Sequence, residues 1–140
     1  VALNSDKLKL AVQIVLIALS AAWLTPAAVI FLPWAWFEPV IKDYGIAGNP
    51  SPLQKYWFVM AGAISGFAGG VIISLVKRVE EKIHFVKAVA YFHIGLAVIL
   101  LTRGLGLNAP VEIVLWDSFF CALTGLVLLA ASSRMVAKDS

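Results

Sequence analysis

Few residues in this chain could do chemistry inside an apolar environment, and two stand out: His93 and Asp117. Each lies in a long apolar run, where an ionisable side chain is costly and marks a functional hypothesis. A neutral imidazole at position 93 suits an axial ligand for haem iron or chlorophyll magnesium. It suits equally a hydrogen bond to a carboxylate, a serine or a backbone carbonyl. His84 falls on the same run near its start, so the chain has no histidine on a second helix to complete a bis-histidine haem. Asp117 also has two readings. It can pair with Arg103 across a short turn as a structural tie, or act as the proton or cation site of a small proton-coupled transporter. The tie is the expectation. Tyr91, Phe92, Trp116, Phe119 and Phe120 flank both residues. His93, Asp117, Trp116 and Tyr91 are therefore the candidate cofactor-binding set, with haem, chlorophyll, quinone, carotenoid or lipid as the ligand classes.

Other chemistries are argued against. No HExxH, CxxC, Walker or GxSxG pattern is present. Asp, Glu, His and Cys do not recur at metal-ligand spacing, so no metal site and no catalytic residue is expected. The single cysteine, Cys121, excludes an intrachain disulfide and reads as a small packing residue. A net charge of +3 without a basic cluster interleaved with aromatics is a poor signature for nucleic-acid binding. Small multidrug exporters depend on a glutamate in their first span, and here no carboxylate falls between Asp6 and Glu38.

The elements that must position these residues are apolar helices. Of 140 residues, 61% are hydrophobic and 14% charged, with a mean hydropathy of +0.93. A soluble domain is about 45–50% apolar and about 25% charged. The pattern predicts an all-α, four-transmembrane-helix bundle forming one membrane domain. The first span covers about residues 7–37, with Asn4, Ser5 and Asp6 as cap candidates and kinks at Pro26 and Pro33. Its apolar run outlasts the 7–15 residues of a signal-peptide core, so it reads as a retained span. Trp34, Trp36 and Phe37 then fall at headgroup depth as an aromatic belt. A turn-rich connector over 38–54, with Gly45, Gly48 and Asn49, reads as an ordered loop. The second span follows at about 52–76, the third at about 83–103 and the fourth at about 110–136.

Within the second span, Gly62, Gly66 and Gly70 repeat every four residues. In water each would weaken a helix by about 1 kcal/mol relative to alanine. In lipid they form a stripe on which another backbone can rest. Ser118, Cys121, Ala122 and Gly125 give the fourth span a second small face, so Ala122 and Gly125 are candidate partners for that stripe. Four spans put both termini on one side. That side carries Lys7, Lys9, Lys77, Arg78, Lys82, Lys87, Arg134 and Lys138, while the other has Lys42, Lys55 and Arg103. The positive-inside bias predicts cytoplasmic termini.

The order of a proline-broken first helix, Pro52-Leu53-Gln54-Lys55, Met60-Ala61-Gly62-Ala63, a basic connector, Trp116-Asp117 and Gly125 resembles small uncharacterised bacterial inner-membrane proteins of four helices, grouped as domains of unknown function. The resemblance spans most of the chain and implies a four-span bundle in the bacterial inner (cytoplasmic) membrane. It supplies no activity. The expected function is that of a non-catalytic accessory or scaffold subunit of a larger membrane complex, in contact with lipids and with other membrane-protein subunits or itself.

Overall fold

The computed structural model describes residues 5–43, 50–106 and 109–139. Gly45, Gly48 and Asn49 of the first connector, residues 107 and 108 of the last one and the cap candidate Asn4 lie outside the described residues. Among the described residues the secondary structure is entirely helical: α1 (Ser5–Leu24), α2 (Glu38–Asp43), α3 (Pro52–Leu75), α4 (Ile83–Gly106) and α5 (Val111–Asp139), with three 3₁₀ segments between them. Four helical stretches are long and apolar enough to cross a membrane: Asp6–Ile30, Pro52–Arg78, Ile83–Gly106 and Val111–Met135. Each has at least 24 residues, and about 20 suffice for a hydrocarbon core.

Contacts within the chain define two compact units, residues 1–18 with 74–140 and residues 19–73. In the first unit α4 and α5 pack as an antiparallel pair. The buried positions on α4 are Val86, Ala90, His93 and Ala97. On α5 they include Val114, Ser118, Cys121, Leu128, Ser132 and Met135, with Gly125 buried between Cys121 and Leu128. Both rows alternate steps of three and four residues, the heptad spacing that keeps one seam facing a neighbour along its whole length. Glycine sets the closest approaches. A Cβ at Gly125 would lie 2.8 Å from the Ala90 carbonyl oxygen, and one at Gly104 would lie 2.6 Å from a Val114 methyl. At the far end of this unit, α1 is fixed to the connector between α3 and α4. The Gln13 side-chain amide donates to the Val76 carbonyl at 2.8 Å, and Lys9 pairs with Glu80 at 3.1 Å. That connector carries the densest charge in the sequence, yet its Val79 is completely buried.

The second unit is built differently. The α-helix does not run through Pro26 as a kinked span: it ends at Leu24, and Thr25–Ile30 continues as 3₁₀. Proline has no N–H to donate, and its ring clashes with the carbonyl four residues back. Thr25 meanwhile turns its hydroxyl onto the Ala21 carbonyl at 2.9 Å. Pro33, with φ −57° and ψ 137°, then breaks the helical path before a second 3₁₀ turn at Trp34–Trp36. The start of α3 is a reciprocal cap. Gln54 Oε1 accepts from the Ser51 N–H at 2.8 Å, while the Gln54 N–H donates to Ser51 Oγ at 3.2 Å. Pro52 stands at the first helical position, where its missing N–H costs nothing.

Candidate functional site

His93 is fully buried on the seam of α4. Its Nδ1 lies 2.8 Å from the Val89 carbonyl oxygen one turn back. A carbonyl can only accept, so Nδ1 carries the proton in this arrangement. Phe92 stands edge-on to the imidazole, with ring centroids 5.4 Å apart. With no exposed surface, His93 presents no face to a macrocycle.

The other three members of the candidate set point elsewhere. Tyr91 is 62% exposed and Trp116 72%, and Asp117 is exposed as well. The seam of α5 runs through Val114, Ser118 and Cys121. At 100° per residue, this turns Trp116 to the opposite face and leaves Asp117 on the flank of the seam, exposed. The four residues do not converge on one cavity. The expected structural pair is not formed either. Arg103 and Asp117 are both exposed and form no ion pair with each other, whereas Lys9–Glu80 and Lys42–Glu38 are paired. Proximity in topology brought Arg103 and Asp117 to one end of the α4–α5 pair, but the register of the seam puts Asp117 on its flank. No group of three or more potential metal ligands occurs among the described residues.

The glycines of α3 are committed, with one change of register. A Cβ at Gly62 would lie 2.6 Å from a Val29 methyl and 2.8 Å from the Pro26 carbonyl oxygen. One at Gly66 would lie 2.9 Å from Ala27 Cβ, and one at Gly69 2.7 Å from Leu24 Cγ. Gly70 has nothing within 4 Å of its Cβ position. The stripe is therefore Gly62, Gly66 and Gly69, not Gly70. The steps of four and three follow the 3.6-residue turn of the helix, whereas repeated steps of four drift off the contact line. Ser20 supports the same contact by donating to the Gly69 carbonyl at 2.9 Å. On α5, Gly125 is spent on Ala90 and Ile94, while Ala122 is half-buried.

Apolar grooves open among the described residues, and His93 lines none of the following three. Two lie on α4 and α5. One of about 370 Å³ is bordered by Glu112, Leu115, Trp116 and Phe119. One of about 320 Å³ runs past Ala97, Leu101, Ser118 and Ala122, where Ser118 Oγ is buried without an acceptor. The third, about 210 Å³, belongs to the second unit and is lined by Pro26, Val29, Trp34, Phe37, Phe58, Ala61 and Gly62. Trp34 packs against Phe58 (5.8 Å between centroids) and Phe37 (6.4 Å), and Lys55 Nζ sits 5.3 Å over its ring. Sequence reasoning placed Trp34 and Phe37 on a belt but did not find this groove. The available signal was Pro26 and Pro33 bracketing a bend opposite the first glycine of the stripe. Comparison with family models, curated proteins and solved structures finds no match to this chain.

Proposed function

We propose that the chain is a polytopic membrane protein of four spans, acting as a non-catalytic accessory or scaffold subunit of a larger membrane complex in a bacterial inner membrane. The observation that carries this reading is where the polar side chains of the spans are directed. Thr25, Thr102, Thr124 and Ser132 donate to carbonyls of their own helices, and His93 bonds Val89 in the same way. Ser20 and Gln13 donate to carbonyls of a neighbouring element. These groups hold backbone to backbone rather than lining a path for a substrate or proton.

The exposed surface supports the same reading. Phe31, Phe67, Trp116 and Trp36 are each at least 67% exposed. Such side chains are costly in water but at home against acyl chains or another membrane protein. Lys9 bonded to Glu80 places the start of α1 beside the basic connector. α5 returns antiparallel to α4, so the basic residues collect at one end, the arrangement of cytoplasmic termini.

Purification from native membranes in mild detergent tests the proposal. The protein should withstand alkaline carbonate extraction and copurify with another membrane polypeptide at fixed stoichiometry. A protein that isolates alone as a monomer contradicts the subunit reading.

A further inference from the structure

We propose that the groove beneath Trp34 is a binding site for one anionic phospholipid, its acyl chain in the slot and its phosphate on Lys55. The inference rests on the membrane reading above.

The slot exists because the backbone around it is irregular. The 3₁₀ stretch Thr25–Ile30 lays Pro26 and Val29 against Gly62 of α3, and the turn at Pro33 brings Trp34 onto Phe58. Gly62 lets the Pro26 backbone close the floor. The resulting walls are apolar throughout: Pro26, Val29, Phe37, Phe58 and Ala61, with the Trp34 ring. An aqueous ligand has nothing to bond to there, whereas a hydrocarbon chain fits by shape alone.

A cation stands beside the groove, over the ring of its Trp34 wall. Lys55 lies in the first turn of α3, beside Tyr56 and Trp57, at the depth where amphipathic aromatics meet headgroups. Among the described residues Lys55 has no carboxylate within ion-pairing distance, and Glu38 pairs with Lys42 at 3.3 Å. Lys55 is held over the Trp34 ring as a cation still able to take a phosphate. The Trp34 indole also lacks an acceptor for its buried Nε1–H. Turning that N–H toward an ester or phosphate oxygen at the mouth breaks no existing hydrogen bond. A cation at headgroup depth above an apolar slot matches a molecule with an anionic head and a hydrocarbon tail.

Native mass spectrometry of the full chain from mild detergent tests this, with phosphatidylglycerol and phosphatidylcholine of identical acyl chains added in parallel and inorganic phosphate in a third arm. The site predicts one phosphatidylglycerol retained about fivefold more strongly than phosphatidylcholine, the effect of one lysine at a headgroup. Lys55→Gln should erase that preference while leaving chain binding. Ala61→Phe, which fills the slot from its exposed wall, should lose both lipids. Lys42→Gln should change nothing. Equal retention of the two lipids, or a preference that survives Lys55→Gln, overturns the proposal in favour of ordinary annular lipid. Displacement of phosphatidylglycerol by inorganic phosphate alone, or occupation of the slot in a dimer, overturns it too. Carbonate extraction of the same preparation separates the two levels. A protein that stays in the membrane yet shows no lipid preference loses only this site, whereas one released by carbonate loses the membrane reading.

Discussion

The two units of this chain bring helices together by different means. Along α4 and α5, regular α-helix is maintained and a heptad row of mixed side chains, His93 and Ser132 among them, forms the seam, with Gly104 and Gly125 at its closest approaches. In residues 19–73, the helix is broken at Pro26 and closure comes from glycines: Gly62, Gly66 and Gly69 receive Val29, Ala27 and Leu24. The first arrangement spreads its contacts and leaves shallow grooves. The second concentrates them on three backbone positions and leaves a smaller slot, about 210 Å³, lined by both the 3₁₀ segments and α3. Regular packing consumes its surface, while broken packing exposes some. The groove with a cation beside its wall, Lys55 over Trp34, lies in the less regular unit.

Substitutions can break or sharpen this contrast. The largest effect is expected from Gly125→Leu, because the obstructing atoms at 2.8–3.1 Å include the Ala90 carbonyl oxygen and the Ile94 nitrogen, and backbone cannot step aside. Overpacking of this kind costs roughly 1–3 kcal/mol or more, read as reduced resistance to unfolding in mixed detergent micelles. Gly62→Leu should come next, since one obstructing atom is the Pro26 carbonyl oxygen while the other is a Val29 methyl that can move. Ser20→Ala removes the bond to the Gly69 carbonyl and should cost about 0.6 kcal/mol, the average for a hydrogen bond between membrane helices. Lys9→Gln breaks a partly exposed ion pair and should cost between about 0 and 1 kcal/mol, diminishing as salt is raised. Gly70→Leu should be near neutral, because its Cβ position is open. If Gly70→Leu proved as harmful as Gly62→Leu, the assignment of the stripe would be wrong.

Apolar run length and turn residues made the four long apolar helices legible in the sequence, because each uncharged run exceeds the length a span needs. The start of α3 was legible at Pro52. The Ser51–Gln54 cap that fixes it escaped notice, although the S-x-x-Q spacing was present. Register was the harder quantity. A repeat of every fourth residue pointed to Gly70, but the helical turn brings Gly69 to the contact instead. The same error of angle joined Arg103 to Asp117, which share an end of the α4–α5 pair but lie off its seam. His93 was singled out as an ionisable group within a span, with a backbone carbonyl among its candidate partners. Its partner, the Val89 carbonyl one turn back, is available to any helical histidine and leaves no mark in the sequence. The slot under Trp34 was hidden because it depends on how the 3₁₀ segments on either side of Pro33 lie against α3, which residue types do not specify.

Site-specific photocrosslinking in native membranes tests the central claim, a subunit whose exposed apolar surface meets other membrane proteins, most directly. A photoreactive residue placed in turn at the exposed positions Phe67 and Trp116 and at the buried positions Val86 and Leu128 compares outward with inward faces. The account predicts adducts to another polypeptide from at least one exposed position and none from the buried pair. Exposed positions that label only lipid would contradict it.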